Sequence, residues 1–188
     1  MNLHLFNDYS IIEPCKLVLS IRMKTLYIIR HAKSSWADPI ASDFERGLND
    51  RGKRDAPKMG KRLKEKAIYP DAIISSPAKR ALSTARRLAE VIKFPKAGIK
   101  TDPRLYHADE DTILSVVHNI NDKQDVAMMF GHNPGLTDFA NAIVCEDPYI
   151  DNVPTCGIVA LSLPVDSWKD VTWKSAKLLF FDYPKLGS

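Results

Sequence analysis

The stretch Thr25-Leu26-Tyr27-Ile28-Ile29-Arg30-His31-Ala32-Lys33-Ser34-Ser35-Trp36 decides how this chain is read. Residues suited to a buried strand, Thr25 to Ile29, run directly into a permanent cation and a titratable ring. A short apolar run bounded by polar residues is the pattern of a strand covered on both faces, as in a parallel sheet. The plain meaning is that the strand ends and the next residues reach water. The sharper meaning is that Arg30 and His31 are delivered to an anion site.

Outward from this strand the pattern alternates. Asn49 reads as the N-cap of a helix to about Ala67, with Ala56, Met59, Leu63 and Ala67 on one face. Pro57 is expected to kink or restart it, because proline lacks an N–H and clashes with the preceding turn. Asp71 to Ser76 is the next strand. Ser76 is expected to cap a helix that has Pro77 at its first position and runs to about Ile92, burying Ala81, Ala85, Leu88 and Ile92. A helix near Thr112–Asn119 and a strand over Asp125–Phe130 follow. Gly131-His132-Asn133-Pro134 then turns the chain into a helix with Asn133 as cap, and two late strands lie near Gly157–Leu163 and Ala176–Phe181. Strands alternating with helices imply an α/β fold: one domain, a three-layer α/β/α sandwich. The late strands have no long helix between them and predict an antiparallel edge on a mostly parallel sheet. Residues 1–22 show weak periodicity and no secretory pattern. Translation is expected to start at Met23, so that 1–22 are an N-terminal extension and 23–188 the domain.

The bulk numbers exclude several classes. A chain of 188 residues, 45% apolar and 27% charged, suits one soluble domain with a sizeable core. Cys15, Cys145 and Cys156 are scattered and odd in number, which argues against a disulfide framework and fits a reducing, cytoplasmic setting. No apolar run approaches the roughly 20 residues of a membrane span. The net charge of +4 hides an asymmetry: residues 51–104 hold 16 Lys and Arg against 5 Asp and Glu, and the rest hold 11 against 18. Solvated helix faces account for most of that, and an anionic partner would exploit it. No basic patch with interleaved aromatics suggests nucleic acid. No HxH, HExxH or carboxylate cluster suggests a metal, and no cofactor is expected. His4 and His118 read as structural or surface residues.

The chemistry converges on three junctions. Arg30 and His31 follow the first strand, Arg80 lies in the first turn of the helix after the second, and His132 precedes the helix after Asp125–Phe130. In an open α/β sheet, ligands bind outside the carboxyl ends of the strands. Two guanidiniums and two imidazoles can therefore meet beside helix N-termini that also favour anions. A compact dianion, above all a phosphoryl group, suits such a pocket. Arg30 and Arg80 would clamp its oxygens with forked donors. His31, donating one ring N–H to a backbone carbonyl, would aim the other nitrogen at phosphorus, and His132 would stabilise a non-bridging oxygen. On the residues alone, phosphatase chemistry without a metal and simple anion binding both remain open.

RHAKSSW resembles the signature of the histidine phosphatase superfamily, whose fold is that of the phosphoglycerate mutases. SSPAKRALSTA, Ser75 to Ala85, is similar to its second motif, and GHNPG, Gly131 to Gly135, to its third. DFERGLNDRG, Asp43 to Gly52, matches the segment before its first helix, and the combination looks most like the phosphohistidine phosphatase, SixA-type branch. The resemblance implies His31, His132, Arg30 and Arg80 as catalytic residues, with Arg30, Arg80, Ser34 and His132 binding phosphate. It implies a covalent phosphohistidine intermediate and a phosphorylated protein or small molecule as substrate. Alternatives are a phosphatase of small phosphomonoesters and a non-catalytic phosphate-binding module. Two positions depart from the pattern. Ala37 stands where mutases carry an Asn, and His107 where many members carry a proton-donating Glu. That leaves His107, Asp109 and Glu110 as candidates for the proton donor. A phosphoramidate nitrogen leaves readily once protonated, so the missing Glu fits phosphohistidine.

Overall fold

A computed structural model describes residues 23–36, 40, 42–145 and 149–186. In these residues six strands form one sheet: β1 (Lys24–Arg30), β2 (Ala72–Ser75), β3 (Ile99–Thr101), β4 (Val126–Gly131), β5 (Ile158–Leu163) and β6 (Lys177–Asp182), in the order β3-β2-β4-β1-β5-β6. β1 to β4 run parallel, whereas β5 is antiparallel to β1 and β6 to β5. Among the described residues, four α-helices cover the sheet: α1 (Asp50–Glu65), α2 (Lys79–Val91), α3 (Glu110–Val117) and α4 (Gly135–Ile143). The mixed sheet with its antiparallel side is the expected three-layer arrangement. The extension expected over residues 1–22, and Ala37, fall outside the described residues.

Strand alternation builds two cores. Tyr27, Ile29, Met128, Phe130, Ile158 and Ala160 pack with Ala56, Met59 and Leu63 of α1 and Ala85 and Leu88 of α2. Their neighbours Leu26, Ile28, Ala127, Met129, Val159 and Leu161 point the other way, onto Ile113 and Val116 of α3 and Leu136 and Phe139 of α4. Burying both faces demands apolar side chains at successive positions, which is why β1 and β4 lack polar alternation. Lys24, at the start of β1, is fully buried, and its ammonium donates to Asp122 O at 2.6 Å and pairs with Asp125 at 2.7 Å.

Three local expectations are corrected. α1 runs unbroken through Pro57. One missing N–H is tolerated where Asn49 caps the helix through Gly52 N (2.9 Å) and buried Ala56, Met59 and Leu63 hold it to the sheet. Ser76 does not begin α2, which starts at Lys79 after an uncapped Ala78. Ser76 instead continues the line of β2, with its N–H on Phe130 O at 2.9 Å. Asn133 does not cap α4, because its amide donates to Asn152 Oδ1 (2.8 Å) and Val153 O (3.1 Å), and Pro134 takes the cap position. The sequence also did not signal β3, a short, largely exposed edge strand.

Gly135 is required by contact. A Cβ at that position would run into the carbonyl oxygen of Ala108, so the start of α4 lies flat against the turn before α3. Gly135→Ala is therefore expected to lower stability by about 1–3 kcal/mol, the usual cost of forcing extra atoms into a packed contact. Denaturant unfolding measures it, and an unchanged midpoint would show that the turn yields freely.

Candidate active site

The end of β1 is held from three sides. His31 N donates to Gly131 O at 3.1 Å, Arg30 N donates to Gly157 O at 3.1 Å, and Cys156 N donates to the carbonyls of both Arg30 and His31. Ala32 N donates to Thr84 Oγ1 (2.9 Å), whose hydroxyl donates to Arg80 O (2.7 Å). Thr84 thus ties the helix carrying Arg80 to the residue after His31. The loop beyond is pinned to the start of α1, with Asn49 N on Lys33 O and Ser35 N on Gly47 O.

The side chains meet as the three junctions required, with one exception. His31 Nδ1 lies 2.8 Å from Ala32 O. A carbonyl only accepts, so the hydrogen is on Nδ1, and Nε2 carries a lone pair that accepts from Arg80 Nε at 3.3 Å. The His132 ring is 5.1 Å from the His31 ring, and its Nε2 is 2.9 Å from Ser76 Oγ. Arg30 is the exception. Its Nη1 donates to Val153 O at 2.8 Å, directing the guanidinium toward the 152–153 segment. Among the described residues, the buried side-chain polar atoms without a partner are Arg30 Nε, His132 Nδ1 and Asn133 Oδ1. All three lie at the carboxyl ends of β1 and β4.

A hub that the sequence did not announce joins these parts. Asp43 Oδ1 accepts from Arg46 Nε (3.0 Å) and Nη2 (2.6 Å); Asp43 Oδ2 accepts from Arg80 Nη2 (2.9 Å) and the Tyr106 hydroxyl (2.9 Å). His107 Nε2 stands 3.4 Å from the same Oδ2. Lys79 N donates to Phe44 O at 3.0 Å, docking the turn on the start of α2. Ser34 Oγ accepts from Arg46 Nη1 at 3.0 Å, and the Arg46 guanidinium lies over the Trp36 ring, 3.5 Å from its centroid. Asp43 and Arg46 stand in the DFERGLNDRG motif, which was the available signal.

Of the candidate proton donors, Asp109 is committed elsewhere: its carboxylate caps α3 through Thr112 N at 2.9 Å. Glu110 makes no hydrogen bond or ion pair with a site residue among the described residues. His107 faces the crevice, with its ring 5.7 Å from that of His132. His118 is structural, its Nε2 lying 2.8 Å from Val171 O.

Electrostatics follow from burial. His31 is pushed down to about 4, chiefly by burial, with Arg80, Arg30 and Arg46 adding to the shift against the Ala32 hydrogen bond. His132 falls to about 3, again mainly by burial, with His31 and Arg80 nearby. Both rings are neutral near neutrality. Burial opposes the charge on Asp43, but hydrogen bonds from Arg46 and Tyr106 and the charge of Arg80 outweigh it and hold the carboxyl far below its usual range.

Comparison with known proteins places the chain among relatives. The profile of the histidine phosphatase superfamily (branch 1) matches residues 26–112. An uncharacterized protein of Mycobacterium leprae is 30% identical over 168 residues, which are 84% of this chain and 100% of that protein. The chain belongs to the histidine phosphatase superfamily. It is a phosphatase of the SixA-type branch. A structure assigned to the phosphohistidine phosphatase SixA of Agrobacterium tumefaciens superposes with a TM-score of 0.74 at 27% identity, covering 86% of this chain and 98% of that one. A SixA complexed with tungstate has the same fold, with a TM-score of 0.72 at 18% identity over 85% of this chain and 97% of that one. Among the described residues of this phosphatase, no helix is long and apolar enough to cross a membrane.

The depressed histidines predict how stability varies with pH. Unfolded, each ring takes a proton below about 6.5; folded, His31 does so only near 4 and His132 near 3. Over that window the unfolded chain binds more protons, so stability is full above about 6.5 and falls as the pH drops. The loss should reach a few kcal/mol by about pH 4, at about 1.4 kcal/mol for each tenfold change in proton affinity. His132→Gln should flatten this dependence. Denaturant midpoints at stepped pH, compared between variant and parent, measure it; parallel curves would show that His132 does not fold neutral.

Proposed function

We propose that this phosphatase hydrolyses phosphohistidine through a covalent intermediate on His31. The observation that carries the proposal is the fixed tautomer of His31: Nδ1–H on Ala32 O, Nε2 bare beside Arg80. A nucleophilic ring must be neutral, and its attacking lone pair must already be aimed. Arg80 Nε, now on that lone pair, is within reach of an oxygen of a phosphoryl group seated there, and its fork suits two such oxygens. The unpaired Nε of Arg30 and Nδ1 of His132 are further polar atoms for the charge that develops during transfer. Phosphorus passes to Nε2, and water then attacks the phosphoryl-His31 bond and releases phosphate.

The choice of phosphohistidine is supported by the candidate carboxylates: among the described residues, Asp109 is spent as a helix cap and Glu110 makes no hydrogen bond or ion pair with a site residue. An alkoxide needs a strong proton donor and an imidazole needs less help. The likeness to SixA proteins points the same way.

Incubation with labelled phosphohistidine peptide, followed by alkaline denaturation, is expected to leave label on the chain. His31→Ala should carry none and lose at least about 1,000-fold in turnover. Arg80→Ala should lower kcat/KM by about 100-fold, the usual loss when one transition-state donor is removed. Absence of label on the parent protein under rapid quench, with turnover intact, would overturn the covalent route. Faster turnover of simple sugar phosphates than of the peptide would overturn the substrate. Binding of phosphate with no turnover of either would make the protein a binding module.

A further inference from the structure

We infer that His107, paired with Asp43, is the group that protonates the departing imidazole and then takes the proton from the attacking water. The inference rests on the covalent reading above. In-line transfer places the departing group opposite His31 Nε2, toward the mouth of the crevice. The three rings form a chain: His132 lies 5.1 Å from His31, and His107, the exposed one, lies 5.7 Å from His132 at an interplanar angle of 30°. The His107 side chain is 57% exposed, so it can meet a group borne by a large substrate.

Three other ionisable groups among the described residues here are committed. Asp43 is kept ionised by Arg46, Tyr106 and Arg80. Tyr106 is kept protonated by burial and by its bond to Asp43, and its hydroxyl hydrogen is already given to Oδ2. Asp109 caps α3. His107 is left with a hydrogen to give. Asp43 stands 3.4 Å from its Nε2, which leaves Nδ1 as the nitrogen free to donate. His107 is also held at φ 55°, a left-handed conformation that a residue with a Cβ adopts only at some cost. Such strain at a site edge is a mark of a positioned side chain. The carbonyl of the next residue, Ala108, rests on Gly135 at the start of α4, so the turn is braced from behind.

The steps balance. The phosphorus–nitrogen bond of the substrate breaks, and its electron pair goes to the departing ring nitrogen. The other ring nitrogen receives the proton from His107, so the imidazole leaves neutral. A bond forms between phosphorus and His31 Nε2, with the Nδ1 hydrogen retained on Ala32 O. Water then attacks phosphorus from the vacated side, its proton passes to neutral His107, and the pair of the phosphorus–Nε2 bond returns to His31. Phosphate departs, and His107 is charged again for the next cycle.

The test compares full-length parent, His107→Gln and His31→Ala on phosphohistidine peptide, phenyl phosphate and 4-nitrophenyl phosphate. Nitrophenolate leaves without a proton; the other two groups gain from one. In kcat/KM, which covers only the steps up to formation of phosphoryl-His31, His107→Gln is expected to lose about 100-fold or more on the peptide and phenyl phosphate, the usual worth of a positioned acid, but under about 5-fold on 4-nitrophenyl phosphate. A purely structural role would depress all three alike. Unchanged affinity for orthovanadate and an unchanged thermal midpoint would establish that the variant is folded, with His107→Asn as a second variant. Equal losses in kcat/KM on all three substrates, or none, would overturn the role of His107. Retained turnover by His31→Ala would overturn the covalent reading instead, whatever His107→Gln does.

Discussion

Two guanidiniums and two buried imidazoles share one end of this sheet, and they do so because a single carboxylate lies between the cations. Asp43 binds Arg46 through one oxygen and Arg80 through the other. Without it, two permanent positive charges would face each other in a crevice largely shielded from water, where repulsion is strong. The same carboxylate fixes the direction of Arg80, and so the direction of the N–H that reaches His31. The turn that carries Asp43 contributes no strand and no helix, yet the order of the site depends on it.

The sheet supplies what that turn cannot. β1 and β4 run side by side in the same direction, so their last residues come out together, Arg30 opposite Gly131. Two residues adjacent on the sheet edge thereby bring His31 and His132 into contact although they are about a hundred positions apart in sequence. The antiparallel neighbour β5 adds the other wall, since the residues before it, Cys156 and Gly157, bind the backbone of Arg30 and His31. A rigid frame on both sides lets a neutral imidazole keep one tautomer without relying on its own charge.

Much of this was legible in the sequence. The fold followed from apolar runs that lacked alternation, and the convergence of His31, Arg80 and His132 followed from where those runs end. Helix starts were read less well, for a shared reason. Ser76 and Asn133 have the chemistry of caps, but each spends its side chain on the site or its supporting loop, and the helices begin later. Asp43 escaped notice because a carboxylate in a polar turn looks like any solvated loop residue. Only the three-dimensional meeting of Arg46, Arg80, Tyr106 and His107 around it gives it meaning. β3 was missed because an exposed three-residue strand has almost no pattern to detect.

The buried ammonium at the other end of β1 has a consequence of its own. Lys24 is locked to Asp125 and to the carbonyl of Asp122, while seven residues along, at the opposite tip, His31 is locked to its own neighbours. Between them the strand is almost uniformly apolar, and such a strand could slide past its partners at little cost in hydrophobic contact. Sliding by one place would turn every side chain to the other face and drag a charge into one of the two cores. The polar groups at the two tips therefore act as stops that define where the strand rests. A residue that lines the crevice thus also tells the chain how to align its central strand.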